Sequence, residues 1–248
     1  THYGLGWMRP AVAAYLRTLH RRTRATMVPT AALAADLAGE GIVGVRVVGR
    51  GVDTDLFDSA RRSQALRENW GLAPGALACL YVGRMAAEKN LSLVEKSFTA
   101  IQQAHPTARM IWVGDGPSAA ALRVAHPDHY FAGLRLGEDL AAHYASADLF
   151  LFPSLSETYG NVVAEAMASG LTVLAYRSAA AAELVLDGRN GFLVPPGDEA
   201  AFVATALRLA ASPERLPETG TAARQAILPR SWAAVVQRFE SVARDAMN

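Results

Sequence analysis

Residues 147–176 read ADLFLFPSLSETYGNVVAEAMASGLTVLAY. An apolar run is followed by a polar loop, a small-residue helix and a second apolar run. Both runs, 147–154 and 171–176, are nearly continuous rather than alternating, the pattern of strands covered on both faces. Three more lie upstream: LACLYVG (77–83), ARMIWVG (108–114) and the shorter YFAG (130–133). Helical spacing separates them over 90–104, 117–125, 138–146, 160–169 and 179–187. Strand and helix in alternation predict an α/β fold with a doubly wound parallel sheet. From Asp198 onward the pattern is helical almost to the end, including SWAAVVQRFESVARDAMN (231–248).

A shorter βα pattern comes first: a helix over about 10–20, a strand ATMVP (25–29), a helix over 31–38 and a strand VRVVG (45–49). It predicts the tail of another α/β unit over 1–48. GRGVDTDLF (49–57) is then the crossing into the main domain, 49–230, with a last helix over 231–248. The chain begins at Thr1 and reads mid-fold, which suggests a fragment.

With 248 residues a sizeable core is attainable. A net charge of +1 argues against a nucleic-acid binder, which would be strongly basic. No apolar run reaches the ~18 residues that span a bilayer. The single cysteine, Cys79, lies in an apolar run and reads as core filler in a reducing compartment, which points to the cytoplasm. The six histidines show no metal-ligand spacing, so no metal site is expected. Arg17, His20, Arg21, Arg22 and Arg24, close to Trp7 and Met8, could meet anionic lipid at the inner membrane face. A solvated helix end is the simpler explanation of that cluster.

Ligands of open parallel sheets bind beyond the carboxyl ends of the strands. Every predicted strand ends there in an unusual segment: GRMAAEKN, GDGPS, GLRLGEDL, PSLSETYGN and YRSAAAAE. Arg84 leaves one strand end and Lys89 precedes the next helix, so the two cations could clamp a diphosphate. Alone they would read as surface charge. Gly160 and Asn161 open a helix whose N–H groups favour an anion. Glu165 lies one turn further on the same face. A phosphate would repel it, so a neutral ribose diol is its expected partner. Glu157, in the preceding loop, could accept from hydroxyls of a second sugar. Two diols flanking a diphosphate describe a nucleotide sugar. Without Arg84 and Lys89, both glutamates would read as ordinary exposed charges.

Two further motifs carry less. GDGPSA (114–119) imitates a dinucleotide fingerprint, but no acid ends the next strand to hold the ribose, and a turn with Pro117 starting a helix explains it. DTD (53–55) imitates a metal-binding Asp-x-Asp, yet it sits in the crossing segment, where a turn or cap role fits better.

With these residues in view, the chain resembles the retaining glycosyltransferases of family 4, of GT-B fold, with two facing Rossmann-like domains. The motifs are VGRMAAEKN, VGDGP, ADLFLFPSLSETYGNVVAEAMASG and DGRNGFLVPPGD. HYGLGW, GVDTDLF and GEDLAAHYASADLFLFPS look closest to bacterial GDP-mannose-dependent mannosyltransferases. The resemblance runs through nearly all of this chain but covers about the last two-thirds of a family member. It implies that Arg84 and Lys89 bind the donor diphosphate, Glu165 the ribose and Glu157 the sugar hydroxyls. Backbone around Gly160, Asn161 and Val162 would hold the phosphate or sugar, and Gly83, Thr158 and Tyr159 complete the donor set. The base would rest against the loop at Leu134 and Arg135. The last helix would cross back onto the N-terminal acceptor domain, which would bind a glycan or lipid.

The implied reaction is transfer with retention and without a bound metal or other cofactor, with GDP-mannose favoured over UDP-sugars. Arg84, Lys89 and Glu157 are its candidate catalytic residues. Arg84, Lys89 and the helix N-terminus would stabilise the departing diphosphate. Front-face attack, with that phosphate taking the acceptor's proton, is preferred to double displacement through Glu157. The chain departs from the family at four alanines, 179–182, where a Gly pair is frequent, and at Thr172, where Pro is frequent. Both departures bear on the loop near the sugar. A sugar-nucleotide epimerase of the same fold and a non-catalytic binding module remain the alternatives.

Overall fold

The computed structural model describes residues 9–155 and 161–247. The chain divides into two compact units, Val52–Pro229 and a smaller one formed by Thr1–Gly51 with Arg230–Asn248.

In the smaller unit, helix α1 (Arg9–His20), strand β1 (Thr26–Val28), helix α2 (Ala31–Gly39) and strand β2 (Val45–Val47) follow one another. Strands β1 and β2 pair in parallel, with Met27 opposite Arg46. The Thr30 hydroxyl caps α2 by accepting from the Leu33 amide, 3.1 Å away. The final helix α11 (Trp232–Met247) belongs to this unit: Trp232 covers Gly51, where a Cβ would lie 2.7 Å from its indole. Arg238 Nε donates to the Val47 carbonyl at 2.9 Å.

The larger unit runs through α3 (Gln64–Asn69), β3 (Ala78–Val82), α4 (Leu91–Ala104), β4 (Arg109–Val113), α5 (Ala119–Ala125) and β5 (Tyr130–Gly133). It continues through α6 (Gly137–Ser146), β6 (Leu149–Phe152), α7 (Asn161–Ala168), β7 (Thr172–Tyr176) and α8 (Ala179–Leu184). Strand β8 (Phe192–Val194), α9 (Glu199–Ala210) and α10 (Leu216–Ile227) complete it. Among the described residues, six of these strands form a parallel sheet in the order β5-β4-β3-β6-β7-β8. Strands β3, β6 and β7 are buried along their whole length, as their continuous apolar runs demand. The largest core side chains, Trp112, Tyr81, Tyr144 and Tyr176, are all fully enclosed.

Four elements differ from the sequence expectation, the short helix α3 among them, which was not expected. The helix expected from 117 begins at Ala119, because Ser118 still bonds back to the Met85 carbonyl at 2.9 Å. The helix expected to reach 187 stops at Leu184, where Asn190 accepts from the Leu186 amide and donates to the Leu184 carbonyl. Strand β8, short and at the sheet edge, carries too few residues to show a period.

At the amino ends of the strands, a buried arginine ties the sheet to α3. Arg67 Nη1 donates to the Ser146 carbonyl at 2.7 Å and to Asp148 at 3.0 Å, and its Nη2 donates to the Ala76 carbonyl at 2.7 Å. Asp148 also accepts from the Ala78 amide and from Arg62. Thr172 is the first residue of β7 and stands on the same side, so, contrary to the sequence expectation, it does not border the sugar loop at the carboxyl edge. Its hydroxyl donates to the Leu216 carbonyl at 2.6 Å, a contact proline could not make.

Candidate active site

Strand order reverses between β3 and β6: the chain first builds outward through β4 and β5, then returns to add β6, β7 and β8. Such a switch point opens a crevice at the carboxyl edge, between the loop after β3 and the helix after β6. The loop after β3 carries Gly83, Arg84 and Lys89. The helix after β6 is α7, with Asn161, Val162 and Glu165. The topology therefore brings these six residues to the two sides of one crevice. Leu134 and Arg135 follow β5, on the same edge but two strands from β3. Glu157, Thr158, Tyr159 and Gly160 lie outside the described residues.

The β3 loop is built by close backbone approach. Gly83 has φ 151°, and the Gly83 amide bonds the Val113 carbonyl at 3.0 Å. The two glycines of GDGP, Gly114 and Gly116, pack against the backbone of Gly83 and Met85. This motif therefore serves packing between the β3 and β4 ends. Arg84 is exposed and stands 3.6 Å from Glu88, one turn on. Such an exposed pair is weak and leaves the guanidinium accessible to a stronger anion. Lys89 ends a 3₁₀ turn, Ala87–Lys89, and is followed by Asn90 in the left-handed conformation, φ 53°, which starts α4 at Leu91. Asn tolerates that conformation better than other non-glycine residues.

On the other side, Val162 packs against the core and Asn161 is exposed. Glu165 is half-buried, and its Oε2 accepts from the Tyr144 hydroxyl at 2.9 Å. Burial raises the Glu165 carboxyl above its ordinary value of 4.5, and the Tyr144 hydrogen bond partly offsets this. At the β5 end, Leu134 and Leu136 are 70% and 71% exposed and flank Arg135. Arg135 Nε donates to the Ala132 carbonyl at 2.9 Å and Nη1 meets Asp139 at 3.0 Å, so the loop is held while its leucines face solvent.

Two tyrosines escaped the sequence analysis. Tyr144 supports Glu165, and the hydroxyl of Tyr81 donates to the Arg84 carbonyl at 3.1 Å. Both sit in apolar patterns, and a buried Tyr needs a partner for its hydroxyl. That need was the available signal; the partner's identity was not in the spacing.

The remaining candidates lie elsewhere. Asp53 Oδ1 accepts from the amides of Asp55 and Leu56, so DTD forms a turn. Among the described residues, no group of three or more His, Cys, Asp or Glu could hold a metal ion. Cys79 is fully buried, and burial pushes its thiol far up. In the basic cluster, Arg17 meets Glu40, His20 bonds Thr26, and Arg24 donates to the carbonyls of Ala246 and Met247. No helix among the described residues is long and apolar enough to cross a membrane.

The family profile described as glycosyl transferases group 1 matches residues 76–212, which is more than half of the chain. This chain belongs to that family. A GDP-mannose-dependent alpha-mannosyltransferase of Mycobacterium tuberculosis is 35% identical over 234 residues, covering 94% of this group 1 chain and 60% of the relative. A sulfoquinovosyl transferase of Arabidopsis thaliana is 33% identical over 248 residues, covering 96% of this chain and 48% of the relative. The chain thus spans about half to three-fifths of the length of these curated relatives. Among solved structures, a sucrose-phosphate synthase of Thermosynechococcus elongatus superposes with a TM-score of 0.79 at 22% identity, over 95% of this chain and 61% of that one. That likeness establishes the GT-B type of fold.

Proposed function

We propose that this group 1 chain holds the donor of a hexosyl transfer, with a mannosyl unit passing from GDP-mannose to an acceptor hydroxyl with retention of configuration. One observation carries it. The crevice at the β3/β6 switch point has Arg84 and Lys89 on one side and a half-buried Glu165, one turn into α7, on the other. The two cations stabilise a diphosphate, above all as it leaves with developing charge. Glu165, an acceptor-only group once ionised, takes the ribose hydroxyls beside it. Glu157 is assigned to the hydroxyls of the transferred sugar, and the leaving phosphate to the acceptor's proton. Charge at the leaving group comes from side chains, so no metal is required.

The choice of mannose rests on the mannosyltransferase relative, and the choice of GDP has physical support as well. A purine buries more ring surface than a pyrimidine against the exposed Leu134 and Leu136. Guanine adds N–H donors, and Asp139 stands at that loop as an acceptor. The acceptor, a glycan or lipid, would be bound by the part of the relatives' length that this chain does not span.

Calorimetric titration with GDP, UDP, GDP-mannose and UDP-glucose, at one salt concentration and with EDTA present, tests the donor choice. GDP should bind about 5- to 150-fold more tightly than UDP, which is one satisfied hydrogen bond plus the extra ring area. Tighter binding of UDP would remove the mannose assignment, and a need for Mn²⁺ or Mg²⁺ would remove metal independence.

A further inference from the structure

Tyr144 lies in α6 and Glu165 in α7, and their hydrogen bond of 2.9 Å joins the two helices. The phenol ring is fully enclosed. It stands edge-on between two aromatics, with Phe57 at 5.7 Å and Phe150 at 5.9 Å between ring centres. Packed on both sides, the ring cannot change rotamer without opening the core. Its hydroxyl is therefore a donor fixed in space. Glu165, by contrast, is a long side chain that loses much rotamer freedom when it is ordered.

We propose that Tyr144 is a positioning residue for donor binding: it fixes Glu165 Oε2 and thereby presents Oε1 to the ribose hydroxyls of a nucleoside diphosphate. The inference rests on the ribose role given to Glu165 above. One carboxylate oxygen is committed to the protein and the other is aimed before the ligand arrives. Ordering the acceptor in advance removes a cost that binding would otherwise carry. A merely structural hydrogen bond would make a different demand: its loss would weaken every ligand of the crevice alike, or none.

The test is a calorimetric comparison of GDP with 2′,3′-dideoxy-GDP on the unaltered protein, Tyr144→Phe and Glu165→Gln. Tyr144→Phe removes one oxygen and keeps the ring packing. It should weaken GDP about 3- to 10-fold, the size of one hydrogen bond, and leave dideoxy-GDP within about 2-fold. Retained dideoxy-GDP binding also shows that the variant is folded. Glu165→Asp, which draws the carboxylate back from Tyr144 and from the ligand alike, should show the same selective loss. Equal loss of both ligands in Tyr144→Phe, or loss of neither, overturns the positioning role, even where Glu165→Gln still loses GDP selectively. If Glu165→Gln leaves the ratio of the two affinities unchanged, the ribose role itself is wrong and the positioning role falls with it.

Discussion

Gly114 and Gly83 approach so closely that a Cβ on Gly114 would lie 2.1 Å from the Gly83 carbonyl oxygen. Gly114 also has φ 124°, a conformation that side chains of L-residues rarely adopt. The first residue after β4 thus clamps the loop that carries Arg84. Gly114→Ala should cost about 2–4 kcal/mol from strain and overpacking together. Thermal unfolding reads this as a drop of about 4–16 °C for a domain of this size. An unchanged midpoint would mean that the β3 loop can retreat freely.

The buried Arg67 should matter far more than an exposed pair. Arg67→Ala leaves Asp148 without its enclosed partner, a loss of about 3–5 kcal/mol. Arg244, 3.2 Å from Glu240 on the exposed face of α11, makes a contact that typically contributes under about 0.5 kcal/mol. Denaturant unfolding of Arg67→Ala and Arg244→Ala compares them, and equal midpoints would contradict the burial argument.

Acid should destabilise the larger unit partly through His129. Burial, assisted by repulsion from His126 and opposed by Asp128, lowers His129 from 6.5 to about 4. Trp112 Nε1 donates to its Nδ1 at 3.1 Å, which requires that nitrogen to be unprotonated. A base with a depressed folded pKa binds fewer protons folded than unfolded, so its contribution is complete above pH 6.5 and is lost as pH falls towards about 4. His129→Gln, which keeps an acceptor for Trp112, should lose less thermal stability across that window than the unaltered protein. Parallel pH curves would remove His129 from the acid response.

The parallel sheet was legible because β3, β4, β6 and β7 are long and apolar on both faces. Motif placement followed from it, since each strand's carboxyl end marks the ligand edge. Short elements escaped: β8 and α3 offer too few residues for a period to show. Side-chain partnerships across helices, Tyr144 with Glu165 above all, span 21 positions and leave no local trace.

Ala179 shows a departure whose cost only the backbone reveals. It occupies φ 45°, in the alanine run where the family resemblance leads one to expect glycine. A non-glycine residue there costs about 1–2 kcal/mol, part of which Ala179→Gly should recover after the added entropy of the unfolded chain. The expected result is a thermal midpoint raised by about 1–3 °C. A lowered midpoint would show that the Ala179 methyl packs well enough to outweigh its backbone strain.

The diphosphate clamp is tested most directly by calorimetric titration of GDP into the unaltered protein and into the Arg84→Ala, Lys89→Ala double variant at two salt concentrations. The unaltered protein should bind GDP, and the affinity should fall as salt rises, because part of it comes from the charges of Arg84 and Lys89. The double variant should bind at least about tenfold more weakly, with a flatter salt dependence, since hydrogen bonds to charged groups contribute about 1.5–3 kcal/mol each. GDP binding to the double variant with unaltered affinity and unaltered salt dependence would contradict the assignment of this crevice to the donor diphosphate.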